Sequence, residues 1–410
     1  MRALVAVAVA VTLGAATACS AAPPEPPATP LASATPTTPS PTPTAGRTST
    51  GPAPTPTPTP HPTATPRPTV PSVLARLPLT ARVGQLLMVG VPAAGTSDAA
   101  LRQLGRYQVG GVILTGRSHA GTSATAALTA RVQAAVPGPG VLVATDQEGG
   151  AVQVLTGPGF SAIPSARSQG RWSAAELRAR AGDWGGQLRA AGVRVNLAPV
   201  ADTVPPGVSN PPIGAFGRQY GSDPATVATH AAAFAAGLAD AGVVPTAKHF
   251  PGLGRVSANT DVSSGVTDRV TTRTDPYLAP FRAVIRTGHP FVMMSSAVYS
   301  RIDPAQPAAF SPTVITGLLR DDLGFDGVVV SDDLGAARQV SAVPAGDRAV
   351  RFVAAGGDMV LTVSPATLPA MFDALYDRAA RDPAFRARVD RSAERILLAK
   401  QRLGLVAPNG

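Results

Sequence analysis

Lys248 and His249 stand side by side at the end of an apolar run, Gly242-Val243-Val244-Pro245-Thr246-Ala247, and a Phe250-Pro251-Gly252 turn follows them. A cation beside an imidazole can hold polar groups of a ligand, and an imidazole can also carry a proton. Lys248 is one of only two lysines among 35 basic residues. In a chain that uses arginine almost throughout, a compact ammonium on a flexible stem points to a local requirement. Other strand-like runs also end on polar residues. Asp146 follows Val141–Thr145, Asn196 lies in Val195–Pro199, and Asp332 and Asp333 follow Gly327–Ser331. One such residue means little, because Asp commonly caps the next helix and a terminal lysine is commonly solvated. Four polar ends converging on one rim would make a site.

The elements that must position these groups alternate along the chain. Strand-length apolar runs are expected at Gln85–Val91, Gly111–Leu114, Val141–Thr145, Val195–Pro199, Val243–Lys248, Phe291–Ser295, Gly327–Ser331 and Asp358–Val363. Helical patterns lie between them, at Thr122–Ala135, Ala174–Ala190, Pro224–Ala241, Pro280–Thr287, Thr313–Asp322 and Val340–Ala355, and Ala384–Leu403 closes the chain. Eight strands separated by helices predict an α/β fold, a closed parallel (β/α)8 barrel of TIM type, with a single catalytic domain. An open doubly wound sheet is the alternative, weakened by the lack of a G-x-G-x-x-G after the first strand. In barrel enzymes the chemistry is carried by the loops after the strands, where the polar residues named above fall.

Composition bounds the rest. Residues 1–19 combine one early cation (Arg2), an apolar run and small residues before Cys19, the pattern of a secretory signal peptide. Cys19 is the only cysteine of the 410 residues, and Ala16-Thr17-Ala18-Cys19 resembles a bacterial lipobox. The expectation is an exported lipoprotein anchored through Cys19 to the outer face of the cytoplasmic membrane, with no disulfide in the mature chain. An ordinary cleavage site with an incidental cysteine is the plainer reading. Residues 20–72 are dominated by Pro, Thr, Ala and Ser and predict a disordered or polyproline-like linker. Residues 73–410 have one composition and form the expected domain. The net charge of +10 comes from dispersed arginines with no basic run and no interleaved aromatics, so no nucleic-acid partner is expected. The five histidines are scattered without ligand spacing, so neither a metal nor another cofactor is expected. A monomer is expected.

From Leu77 to Leu405 the chain resembles glycoside hydrolase family 3, in particular its single-domain β-N-acetylhexosaminidases. The resemblance rests on Gly84-Gln85-Leu86-Leu87-Met88-Val89-Gly90, Asp146-Gln147-Glu148-Gly149-Gly150, Asn196-Leu197-Ala198-Pro199-Val200-Ala201-Asp202, Gly217-Arg218-Gln219-Tyr220-Gly221, Lys248-His249-Phe250-Pro251-Gly252 and Ser331-Asp332-Asp333-Leu334, in that order. It implies a barrel enzyme that hydrolyses terminal β-linked N-acetylhexosamine, as in peptidoglycan fragments, by double displacement with retention. By the same matching, Asp332 is the nucleophile that forms the glycosyl-enzyme, and Asp146, Arg218, Lys248 and His249 bind the sugar. Asp333 is then the cap of the strand-to-helix turn.

Two departures bear on the chemistry. Where this family's N-acetylglucosaminidases carry an Asp-Ser-His triplet on a mobile loop, with the histidine as general acid/base, this chain has Asn259, Thr260 and Asp261. Where the family has arginines after the Asp146 motif, it has Ala151 and Val154, so a sugar-binding cation is expected to be missing. Three readings follow. Asp261 replaces the histidine as proton donor, with its pKa raised by burial and by the nucleophile and its orientation set by Asn259. Alternatively, the acid comes from elsewhere and Asp261 only ties down the loop. In the third reading the protein is a catalytically weakened sugar-binding lipoprotein. A β-glucosidase specificity also stays open.

Overall fold

Eight short parallel strands form the centre of the molecule: β1 (Leu87–Pro92), β2 (Gly111–Thr115), β3 (Leu142–Thr145), β4 (Val195–Asn196), β5 (Val244–Phe250), β6 (Phe291–Met294), β7 (Val329–Ser331) and β8 (Val360–Thr362). The structure, a computed structural model, describes residues 70–406. The signal peptide, Cys19 and residues 20–69 of the expected linker lie outside the described residues. The strands are hydrogen-bonded in the order β7-β6-β5-β4-β3-β2-β1-β8. Val330 bridges Met359, just before β8, and the Ser331 amide donates to the Met359 carbonyl at 3.0 Å, which brings the two ends of the sheet together as a barrel. Nearly every strand residue is buried, because helices cover the outside and side chains fill the inside. This explains why the strands read as continuous apolar runs rather than alternating ones.

Each strand is followed by a helix. Before the barrel come α1 (Val70–Arg76) and α2 (Leu79–Gln85). Around it lie α3 (Asp98–Tyr107), α4 (Gly121–Ala135), α5 (Ala174–Ala190), α6 (Pro224–Asp240), α7 (Ala279–Ile285), α8 (Thr313–Asp322, wound as a π-helix), α9 (Ala345–Ala355) and α10 (Leu368–Arg381), and α11 (Pro383–Arg402) closes the chain. Helix starts follow local chemistry. Ser173 accepts from the Glu176 amide at α5, and Asp223 and Asp382 each accept from two amides at α6 and α11, with a proline in the first turn. Helices α5 and α6 pack closely because Gly237 has no side chain: a Cβ there would lie 2.2 Å from the Arg178 carbonyl oxygen.

The expected barrel is observed, with local differences. Gln85 ends α2 instead of opening β1, since its side chain is needed beneath the barrel, where Lys400 Nζ donates to it at 2.5 Å. The helix expected from Val340 begins at Ala345, because Pro344 cannot continue a preceding helix, and Arg338–Val340 forms a separate turn. Helices α3 and α10 were not among the expected elements. The boundary drawn at residue 72 falls inside α1.

Candidate active site

The polar strand ends meet. Ile113 of β2, Asp146 after β3, Leu197 after β4, Lys248 and His249 of β5, Met293 of β6, Asp332 and Asp333 after β7 and Leu361 of β8 line one cavity of about 250 Å³ at the C-terminal rim of the barrel. Loop residues Arg218, Asn259, Thr260 and Asp261 complete its wall. All six residues expected at the site, Asp146, Arg218, Lys248, His249, Asp261 and Asp332, therefore border the same space.

One wall is a buried charge network. Lys248 Nζ lies 2.5 Å from Asp146 Oδ1 and 2.6 Å from Glu148 Oε1. Arg218 grips Glu148 with two bonds, Nε to Oε2 at 2.9 Å and Nη2 to Oε1 at 2.7 Å, and donates to the Pro212 carbonyl at 2.8 Å. Burial alone would raise the Glu148 carboxyl, but the charges of Arg218 and Lys248 outweigh it and hold it at about 2. Burial would lower the Lys248 ammonium, and Asp146 and Glu148 reverse that, so Lys248 is raised and stays charged. Among the described residues, Asp146 Oδ2 accepts no hydrogen bond, which leaves it available to a hydroxyl from the cavity. The cluster thus presents a fixed cation and a fixed carboxylate to a polar ligand. Glu148 makes this possible, and it had no assigned role in the sequence reading, although it stands in the quoted Asp146-Gln147-Glu148 motif.

His249 is held from behind. Its Nδ1 is 2.7 Å from Asp202 Oδ2, and Asp202 Oδ1 accepts from the amides of His249 at 3.1 Å and Leu253 at 2.7 Å. Asp202 is fully buried and serves as the orienting partner that the sequence reading did not name. Asn196 does not reach the ligand space. Its side-chain oxygen accepts from the Gln147 amide at 3.0 Å, and its side-chain nitrogen donates to the Gln147 carbonyl at 3.1 Å, which fixes the strand end that carries Asp146.

Asp332 borders the same cavity as this network. Its amide donates to the Met294 carbonyl at 3.1 Å, and its Oδ1 accepts from the Asp333 amide at 2.9 Å. Burial pushes its carboxyl up, His249 pulls it down and Asp261 pushes it up again, for a net rise to about 6. Asp333 closes the turn after β7 rather than capping a helix, which begins only at Ala345: its oxygens accept from the amides of Gly335 at 2.8 Å, Ala336 at 2.9 Å and Val363 at 3.0 Å.

Two expectations for the loop after β5 need correction. Asp261 is exposed at the cavity mouth rather than buried as the donor reading expects. Asn259 Oδ1 accepts from the Asp261 backbone amide at 2.9 Å, so it shapes the turn rather than orienting the carboxyl. At the hairpin of Ala151, a guanidinium arrives from another loop. Arg117 donates to the Ala151 carbonyl at 2.9 Å and the Gln153 carbonyl at 3.1 Å, but it is not part of the cavity wall.

Comparison with known proteins agrees with the barrel fold. Residues 78–399 match the glycosyl hydrolase family 3 N terminal domain. A beta-hexosaminidase of Xanthomonas euvesicatoria pv. vesicatoria is 36% identical over 318 residues, covering 75% of this chain and 92% of that protein. The crystal structure of a beta-N-acetylhexosaminidase from Beutenbergia cavernae superimposes with a TM-score of 0.78 at 50% identity, covering 80% of this chain and 99% of that one. A glycoside hydrolase family 3 beta-N-acetylglucosaminidase from Paenibacillus gives 0.74 at 34% identity, covering 81% and 64%.

Proposed function

The chain belongs to glycosyl hydrolase family 3 and is a glycosidase, and from that premise we propose that it removes terminal β-linked N-acetylhexosamine with retention of configuration. The observation that carries this reading is that Asp332 and the Asp146–Lys248–Glu148–Arg218 network border one cavity at the C-terminal rim of the barrel. In the first step the Asp332 carboxylate attacks the anomeric carbon, the bond to the leaving oxygen breaks, and Asp261 passes its proton to that oxygen. In the second step Asp261 takes a proton from water, the water oxygen bonds the anomeric carbon, and the ester to Asp332 breaks. Asp146, Lys248 and His249 hold ring hydroxyls throughout, and Glu148 keeps Lys248 and Arg218 in place. Peptidoglycan fragments are the substrates that match such a sugar.

The test sets an aryl β-N-acetylglucosaminide beside an aryl β-glucoside, for wild type and Asp332→Ala. Cleavage of the first substrate, lost in the variant while amino-sugar binding persists, is expected. Preferential cleavage of the glucoside would transfer the assignment to a β-glucosidase, and binding without any cleavage would establish a weakened sugar-binding protein. His249, backed by Asp202, is the alternative donor at the cavity. It becomes the donor if Asp261→Ala slows good and poor leaving groups equally.

The proposal extends to location. The Ala18-Cys19 junction after an apolar leader supports an exported lipoprotein on the outer face of the cytoplasmic membrane. Cys19→Ala should release the protein to the medium or leave its precursor uncut. A processed protein retained on the membrane would reject the anchor.

A further inference from the structure

In the family that the chain belongs to, the loop after β5 was expected to be a mobile carrier of the acid/base. Here it is fastened at both ends. At its start, Asp202 takes the Leu253 amide, the Asn210 side-chain nitrogen donates to the carbonyls of Leu253 at 2.7 Å and Val256 at 2.9 Å, and Gly254 lies so close to the Thr203 carbonyl that a Cβ would be 1.8 Å from its oxygen. Within that same stretch, the Arg255 guanidinium pairs with Asp275 at 2.6 Å and stacks 3.5 Å over the Tyr277 ring. At its end, the Arg338–Val340 turn holds it by four bonds. The Arg338 amide donates to the Asp261 carbonyl at 3.0 Å, and the Gln339 amide donates to the Thr260 carbonyl at 3.0 Å. The Gln339 side chain accepts from the Val266 amide at 2.8 Å and donates to the Val266 carbonyl at 3.1 Å.

The location of that last clamp matters. Residues 338–340 belong to the same loop as Asp332, and that loop is itself stiffened by Asp333 and by Arg348, whose Nη1 donates to the carbonyls of Leu334 at 2.7 Å and Gly335 at 3.0 Å. One segment therefore fixes both sides of the reaction. A retaining mechanism needs its two carboxyl groups at a set separation, about 5–5.5 Å, and an error of ~1 Å can cost ~100-fold in rate. Of the two residues whose carbonyls are clamped, Thr260 is buried and Asp261 is exposed at the cavity mouth.

We propose that the loop carrying Asp261 is a fixed wall of the active site rather than a moving lid, and that Gln339, whose side chain fastens the far end of that loop at Val266, is a positioning residue that keeps Asp261 set against Asp332. The inference rests on Asp261 being the proton donor. A carboxylic acid on a short side chain has less reach than an imidazole brought in by loop motion, so its backbone must be held. The substrate then enters a preformed cavity, and proton transfer does not wait for loop closure.

The test combines amide hydrogen exchange with leaving-group dependence. In the wild-type protein, the bonded amides of Asp261, Ser263 and Val266 should exchange slowly without ligand and change little when an amino sugar binds. Gln339→Ala should speed that exchange. It should lower kcat on alkyl glycosides by roughly 10–100-fold while slowing activated aryl glycosides by less than about 3-fold, because the latter need little protonation. Gln339→Glu keeps an acceptor for the Val266 amide and should fall between the two. Fast exchange in wild type, protected only by ligand, would overturn the fixed wall whatever the variants do. Faster exchange in Gln339→Ala with no selective loss on alkyl glycosides would overturn the positioning role. Asp261→Ala separates the premise from the inference: a flat leaving-group response there rejects Asp261 as donor, and the exchange result still decides whether the loop is fixed.

Discussion

Asp332 and Asp261 share one electrostatic account, and it makes a pH prediction. The Asp332 carboxyl is raised to about 6 by burial, and Asp261 adds to that rise as a like charge across the cavity. Asp332 acts as a nucleophile only when ionised, so kcat/KM should fall as pH drops through about 6. Removing the Asp261 charge removes one of the terms that raise Asp332. Asp261→Asn, assayed on an activated aryl substrate, should therefore move the acidic limb to lower pH, by roughly half a unit to one unit. A limb that stays in place or rises would show that the two groups are not coupled. At this scale the sequence was informative about residues that face the ligand, because type and strand-end position announce them. It was poor on residues that hold those groups. Glu148 and Asp202 lay within quoted motifs, yet their tasks depend on side chains brought together across the barrel, Glu148 with Lys248 and Arg218 and Asp202 with His249. Nothing in the spacing of 148 and 218, or of 202 and 249, announces such a contact.

Strands and helices were legible for a physical reason. Strands covered on both faces must be apolar throughout, and helix starts such as Asp223-Pro224 and Asp382-Pro383 carry their own caps. Element ends were less legible, as Gln85 shows. It lies in an apolar stretch that reads as strand, but it ends α2 and meets Lys400 of α11 beneath the barrel. That contact has a cost. Lys400 is fully buried with Gln85 as its hydrogen-bond partner, and burial lowers its ammonium to about 7 from 10.5. Between those two values the unfolded chain holds a proton that the folded chain has released, so stability rises with pH across that window. Lys400→Met, close in volume and uncharged, should remove this slope. It should also raise stability at pH 7 by ~1–2 kcal/mol, somewhat reduced because Gln85 loses its donor. Urea unfolding at neutral pH and near the upper end of the window measures both effects. A variant less stable at neutral pH, or a slope that persists, would show that the lysine is better accommodated than its surroundings indicate.

On the scale of the molecule, the two faces of the barrel have separate duties. The cavity with Asp332 opens on the C-terminal rim, while α11 runs beneath the strand starts, where its Leu398 and Ala399 approach Val244, Phe291 and Val328. The described chain begins on that second side. Val70 and Val73 of α1 pack with Leu397 of α11 in a small apolar cluster of their own, flanked by Leu74, Leu77, Leu398 and Val406. Composition placed the end of the linker at residue 72, between Val70 and Val73, because a Pro- and Thr-rich tract runs up to them. Only the presence of Leu397, more than 300 positions away, shows what they cover. The family match starts at residue 78, after this helix. A chain beginning at Val70 should therefore unfold at the same temperature as the longer protein. A chain beginning at Pro78 should lose ~2–5 kcal/mol, since two buried valines go and Leu397 is uncovered. Its kcat/KM on an activated aryl substrate should be unchanged at temperatures where it is folded, because α1 is remote from the catalytic rim. Equal unfolding temperatures for the two chains would make α1 a passive end of the linker. A loss of activity in the folded, shorter chain would instead tie the packing beneath the barrel to the geometry of the site above it.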